Sequence, residues 1–216
     1  MKEIFRIAID GPSGAGKSTI ARLIAAELDI DYIDTGAMYR AVGYKMKLQG
    51  IAADQKQMLQ SMLENTDIDF VNGDIILDGE VVNDKIRTSE ISRMASVCSA
   101  LPAVREKLVD IQRKMGTRKS VIMDGRDIGT NVLRDAEYKF FLTASAEERA
   151  ERRYRELLDK GESITREKVL RDIIQRDHND MTRELNPLTK AEDAVEIDTT
   201  GLTIQQVTDR ILSYIE

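Results

Sequence analysis

Ile7-Ala8-Ile9-Asp10-Gly11-Pro12-Ser13-Gly14-Ala15-Gly16-Lys17-Ser18-Thr19 joins an apolar strand to a glycine-rich turn and then to the start of a helix. From Gly11 to Ser18 the stretch fits G-x-x-x-x-G-K-[ST], a loop whose backbone N–H groups surround the phosphates of a nucleoside triphosphate. Gly11, Pro12, Ser13, Gly14, Ala15, Gly16, Lys17, Ser18 and Thr19 are the candidate nucleotide-binding residues. Lys17 is expected to reach the β- and γ-phosphates and the Ser18 hydroxyl to sit on Mg²⁺, while the glycines supply the positive φ values of an amide nest. A pattern with so few fixed positions also arises by chance, so its context decides. Ile4 to Ile9 reads as a buried strand, and Ile20, Leu23, Ile24 and Leu28 follow at helical spacing.

Outward from the loop, Lys17 to Leu28 predicts a helix and Ile30 to Asp34 a strand, a βαβ unit that commits the chain to a parallel sheet. Ala37 to Leu48 predicts a second helix ended by Gly50. The texture then changes. After a polar helical stretch, Ile68–Val71, Asp74–Leu77 and Glu80–Val82 are separated by Asn72-Gly73 and Asp78-Gly79, which predicts a three-stranded antiparallel meander projecting as an insert. Thr88 or Ser89 caps a helix to about Cys98, and Pro102 opens another through Met115, with Gly116 as its stop. Val121–Asp124, Tyr138–Leu142 and Val195–Asp198 are further strands. Ser145 caps an arginine-rich helix, Thr165 opens one to about Asp180, and Thr203 to Ile215 closes the chain. The order predicts an α/β fold: an open, doubly wound parallel sheet with helices on both faces, forming one domain over residues 1–216.

Composition narrows the partners. Lys+Arg of 32 against Asp+Glu of 38 gives a net charge of −6, which argues against a nucleic-acid polymer or an anionic membrane as the main partner. The lone Cys98 excludes an internal disulfide and reads as a small buried residue. One histidine and one cysteine leave no zinc site, and no apolar run approaches a membrane span, so a soluble cytoplasmic monomer is expected.

Ligands of such sheets bind at the carboxyl ends of the strands. Four ends here carry polar clusters expected to converge: Asp10-Gly11, Asp34-Thr35-Gly36 with Arg40 beyond, Asp124-Gly125-Arg126-Asp127, and Asp198-Thr199. Guanidinium forks match phosphate oxygens, so Arg40 and Arg126 point to a second phosphorylated substrate. Asp124, with Asp10 or Asp34, is placed to hold a Mg²⁺-bound water or orient substrate. Asp127 beside Arg126 either caps a turn or accepts from the exocyclic amine of a base. Arg149, Arg152, Arg153 and Arg155 lie within seven residues, and Arg149 and Arg153 share a helix face. They read either as a solvated ion-paired helix or as a mobile segment closing over the γ-phosphate. Arg176, Asp180 and Arg183 form a second stripe with the same ambiguity.

Gly11–Ser18, Asp34-Thr35-Gly36-Ala37-Met38-Tyr39-Arg40, Ile86-Arg87-Thr88 and Asp124-Gly125-Arg126-Asp127-Ile128-Gly129-Thr130 together resemble the bacterial cytidylate kinases, nearly end to end. The resemblance implies phosphoryl transfer from ATP to CMP or dCMP with Mg²⁺. It implies an acceptor-binding region over 36–105 with the meander at about 67–83, and a short arginine-rich lid over 145–165. Carried over by position, Gly11 to Thr19 would hold ATP, with Ser18 at the metal. Thr35, Arg40 and Arg126 would hold the acceptor phosphate, assisted by Arg183. Ser96, Arg105 and Asp127 would read cytosine, Arg176 and Asp180 would contact the sugar, and Lys17, Arg126, Arg149 and Arg153 would be the catalytic cations. Two alternatives stay open on the residues alone. One is a kinase for another small acceptor, UMP or a non-nucleotide alcohol. The other is a GTPase-like switch, although N-K-x-D is absent and the one D-x-x-G, Asp198 to Gly201, lies near the C-terminus.

Overall fold

The computed structural model describes residues 4–215. In chain order it runs β1 (Arg6–Asp10), α1 (Lys17–Leu28), β2 (Asp31–Asp34), α2 (Thr35–Gln49) and α3 (Lys56–Glu64). Next come β3 (Ile68–Val71), β4 (Asp74–Leu77), β5 (Glu80–Val81), α4 (Ser89–Cys98), α5 (Pro102–Gly116) and β6 (Val121–Gly125). A π-helical turn (Ile128–Val132) leads to β7 (Tyr138–Thr143), α6 (Ala146–Asp159), α7 (Arg166–Thr182), β8 (Val195–Asp198) and α8 (Ile204–Leu212).

Five strands form a parallel sheet in the order β2-β6-β1-β7-β8, and β3-β4-β5 form a separate antiparallel sheet. Every residue of β6 is buried, as a central strand covered on both faces requires. Alternation along β1 splits the core in two. Ile7 and Ile9 pack with α1 and α8 through Ile20, Ile24, Val207 and Ile211, whereas Ala8 faces Met38, Val42 and Leu108 of α2 and α5. The predicted doubly wound architecture with helices on both faces is therefore what forms.

Several local expectations are refined. The meander was expected to project, but Ile68, Ile75 and Leu77 join the α2 core, and Lys45 of α2 reaches the Asn65 carbonyl at 2.6 Å and Asp78 at 2.5 Å. A two-faced antiparallel sheet needs somewhere to bury its apolar side, and α2 supplies it. α2 follows β2 with no intervening loop, because the Asp34 carboxylate accepts from the Ala37 N–H at 2.8 Å, a cap that stabilises by about 1 kcal/mol. Gly116 is the last residue of α5, one position beyond the predicted end at Met115; an added Cβ would sit 2.7 Å from Leu133 Cδ2, so packing also favours glycine there.

Cys98 is buried with its Sγ 3.4 Å from Met46 Sδ, and burial pushes its thiol up to about 12. The thiol is therefore protonated at neutral pH. Iodoacetamide at pH 8 is expected to label Cys98 at least about a hundredfold more slowly in the native protein than in denaturant, measured by mass spectrometry.

Candidate active site

Parallel register brings three strand ends together, aligning Asp10 with Gly125 and Asp34 with Asp124. Gly11 leaves β1 at φ +145°, where an added Cβ would lie 2.1 Å from the Leu142 carbonyl oxygen, so only glycine lets the loop turn past β7. Lys17 opens α1 and is buried, its Nζ donating to the Pro12 carbonyl at 2.7 Å. Burial, followed by the charge of Arg126, lowers this amine well below the usual lysine range.

Ser18 Oγ donates to Asp124 Oδ2 at 2.9 Å, and the Tyr32 hydroxyl donates to Asp124 Oδ1 at 2.7 Å. Thr35 Oγ1 donates to the Asp124 carbonyl at 2.7 Å, fixing the start of α2 against β6. Burial, and then the charge of Asp34, raise the Asp124 carboxyl, while burial and Asp124 keep the Tyr32 phenol neutral. A hydroxyl and a carboxylate with Asp34 nearby are the hard oxygen donors that Mg²⁺ takes. Among the described residues no three Asp, Glu, His or Cys converge into a metal cage.

Asp10 does not share that role. Its two carboxylate oxygens accept the N–H groups of Ile128 and Gly129, each at 2.8 Å, so Asp10 ties β1 to the π turn. Asp198 also leaves the cluster. It is exposed at the sheet edge and accepts the Thr200 N–H at 2.9 Å, a turn-holding bond.

Beyond Ser18 lies a group of cations. Arg40 donates to Asp34 Oδ2 at 2.9 Å, and Arg126 Nε donates to Asp180 Oδ2 at 2.7 Å. Arg176 Nε and Arg40 Nε are buried without partners among the described residues. Burial, and then repulsion from Arg126, with Arg40 and Arg153 adding to it, lower the Arg176 guanidinium to about 10. The cations Arg40, Arg126 and Arg176 outnumber the carboxylates Asp34 and Asp180 that pair with two of them, so the group carries a net positive charge that suits an entering dianion.

A second, denser cluster sits on Asp127. Arg105 NH2 donates to Asp127 Oδ2 at 2.5 Å, Asn131 Nδ2 to the same oxygen at 3.0 Å, and Arg183 NH2 to Oδ1 at 3.0 Å. The Arg105 guanidinium also lies over the Tyr39 ring at 5.8 Å. The resemblance sets Arg183 beside the acceptor phosphate. Its Nε and NH2 donate to the Asn186 carbonyl at 2.8 and 2.5 Å, and NH2 also to Asp127, which holds two of its three nitrogens at the Asp127 end. Asp180 likewise pairs with Arg126, leaving Arg176 as the freer member of that stripe. Ser96 is half-buried on α4, and its carbonyl accepts the Ser99 hydroxyl at 2.8 Å; the Ser99 carbonyl accepts from Arg105 at 3.2 Å.

The arginine-rich helix separates into distinct tasks. Arg149, expected on a mobile lid, is buried: Nε donates to the Ala144 carbonyl at 2.9 Å, and NH1 donates to the Ser13 carbonyl at 3.0 Å and to Asp177 at 2.6 Å. It buttresses the phosphate loop from behind, with Nε and NH1 spent on Ala144, Ser13 and Asp177. Arg152 clamps Thr199, Arg155 pairs with Glu151 on the surface, and Arg153 pairs with Glu156 at 2.8 Å. Asp177 and Tyr32 escaped the sequence reading. Tyr32 carried a usable signal, since it stands two residues before Asp34 and shares its strand face. Asp177 carried none, as its partners Arg149 and Ser13 are remote in sequence.

Residues 7–216 match the protein family described as cytidylate kinase. A cytidylate kinase of Clostridioides difficile is 54% identical over 209 residues, covering 97% of each chain. One of Clostridium perfringens is 51% identical over 216 residues, covering 100% of each. A crystal structure of an uncharacterised protein from Eubacterium ventriosum matches with a TM-score of 0.56 at 15% identity, covering 99% of this chain and 98% of that one. A shikimate kinase of Bacteroides thetaiotaomicron matches with a TM-score of 0.50 at 12% identity, covering 99% of each. These two structures support the fold of the large sheet. No helix among the described residues is long and apolar enough to cross a membrane.

Proposed function

The chain belongs to the cytidylate kinase family, and from that premise we propose that it transfers the γ-phosphoryl group of ATP to CMP or dCMP, giving CDP or dCDP. The observation that carries the site assignment is the pair of clusters opposite the phosphate loop: Arg40, Arg126 and Arg176 in excess over Asp34 and Asp180, and beside them a carboxylate fixed by two arginines. The first suits a phosphate and the second an amino-bearing base.

In this reading the loop amides and Lys17 hold the ATP phosphates, while Arg40, Arg126 and Arg176 hold the acceptor phosphate in line with them. Ser18 and Asp124 are the residues that would hold Mg²⁺, which when bound neutralises charge on the transferring group. The acceptor phosphate is largely dianionic at pH 7 and attacks without a strong general base. Arg153, less enclosed than Arg149, is the lid cation that reaches the equatorial oxygens. Arg149 acts by keeping the loop in shape. Ser96 and Arg105 border the base and Thr35 sets α2; the regions 36–105 and 145–165 would close over the two nucleotides to exclude water.

The direct test is a coupled assay of ATP with CMP, dCMP, UMP and AMP; equal rates for AMP or UMP would remove the cytosine assignment. Arg40→Ala is expected to weaken CMP by the loss of a charge-assisted contact, on the order of 2 kcal/mol, or about a thirtyfold rise in the KM for CMP. An unchanged KM and kcat would remove Arg40 from the acceptor phosphate.

A further inference from the structure

Asp127 is held more completely than a pair of arginines requires. A carboxylate offers about four acceptor positions on its two oxygens. On Oδ2 both are taken, by Arg105 NH2 at 2.5 Å and Asn131 Nδ2 at 3.0 Å. On Oδ1 one is taken, by Arg183 NH2 at 3.0 Å. A single acceptor position is left, and it is on Oδ1.

Asn131 is itself buried and locked. Arg113 NH2 donates both to the Asn131 side-chain Oδ1 at 3.1 Å and to its backbone carbonyl at 2.8 Å. The π turn adds the backbone: the N–H groups of Asn131 and Val132 reach the Asp127 carbonyl at 3.0 and 3.2 Å. Turning the Asn131 amide over would set its oxygen against the carboxylate and its NH₂ against the guanidinium. Both contacts would then be repulsive, so Arg113 fixes which end of Asn131 meets Asp127.

We propose that Asn131, oriented by Arg113, is a positioning residue for acceptor selectivity: it closes Oδ2 of Asp127 so that only Oδ1 remains, to accept one N–H of the acceptor base's exocyclic amine. The proposal rests on the acceptor reading above and deepens it. A base bearing a carbonyl at that place meets an acceptor facing an acceptor and is rejected. Without Asn131 the carboxylate gains a second free position and can rotate between them.

The test uses Asn131→Leu and Arg113→Met in the full chain, with calorimetric affinities for CMP, UMP and ATP and kcat/KM for CMP. Asn131→Leu is expected to weaken CMP and lower its kcat/KM about tenfold, the effect of one misdirected hydrogen bond, with UMP and ATP affinities unchanged within twofold. Arg113→Met shifts CMP the same way by about threefold, and Arg113→Lys recovers part of that loss because it still donates to Asn131. CMP affinity and kcat/KM staying within twofold in Asn131→Leu and unmoved in Arg113→Met would overturn the proposal, as would CMP and ATP weakening together. If Asn131→Leu does not fold, the two Arg113 variants decide. The acceptor reading fails separately, when the unaltered protein transfers no phosphate to CMP, and the proposal falls with it.

Discussion

Lys17→Met is expected to lower kcat by about 10³-fold, roughly 4 kcal/mol of transition-state stabilisation, in a protein that stays folded. The size follows from where the amine stands. Lys17 Nζ is buried at the first residue of α1, beside a loop whose only charge toward the triphosphate it supplies. Without ligand the amine spends one bond on the Pro12 carbonyl, and burial with repulsion from Arg126 and Arg176 outweighs its attraction to Asp124 and Asp10. Removing that charge therefore costs the fold little, and methionine keeps most of the stem's volume. Transition-state charge on the transferring phosphoryl would then lose its nearest buried cation. Steady-state rates and thermal melting check both halves. More than a few per cent of kcat, or a collapse in melting temperature, would contradict the assignment.

A proton accompanies the same event. Burial lowers the Lys17 amine in the free protein, and an arriving triphosphate must raise it again. Near pH 8 ATP binding should therefore take up a fraction of a proton that Lys17→Met does not take up. Calorimetry in two buffers of different ionisation enthalpy measures it.

The nucleotide half of the site was legible because its logic is local. Gly11 to Ser18 is contiguous, and the strand before it and the helix after it have the periodicities their burial demands. The meander was legible for the same reason, its two turns falling at Asn72-Gly73 and Asp78-Gly79 with positive φ at all four residues. Its docking on α2 was not, because Lys45 and Asp78 become neighbours only through the fold. Roles of individual charges were the least legible. Arg149 and Arg153 are one turn apart on one face, yet the first is wedged behind the phosphate loop by Asp177 and the second is half-open. Spacing gives the face of a helix, and only tertiary partners decide which charge on it is spent. Asp10 shows the same thing at a strand end, where two backbone N–H groups from the π turn each take a position on the carboxylate.

Asp127→Asn carries the second large effect, on stability and selectivity together. The side chains of Asp127, Arg105 and Arg183 are 7%, 3% and 6% exposed, so the carboxylate is the counter-ion of two buried guanidiniums. Neutralising it leaves both arginines charged in a low-dielectric site, and breaking a buried pair this way costs about 3–5 kcal/mol. For a chain of 216 residues that is a fall in melting temperature of roughly 10 °C. The amide also turns an NH₂ toward one of the arginines and presents fewer acceptor positions to a base. With the assay held well below the melting transition, kcat/KM for CMP should fall about 10²-fold or more while the KM for ATP moves less than threefold. CMP should raise the melting temperature of the unaltered protein and fail to raise that of Asp127→Asn at the same concentration. Equal losses for ATP and CMP would make Asp127 a folding residue alone. Retained CMP turnover with the expected destabilisation would move base recognition to Arg105, the guanidinium of the cluster that lies over the Tyr39 ring.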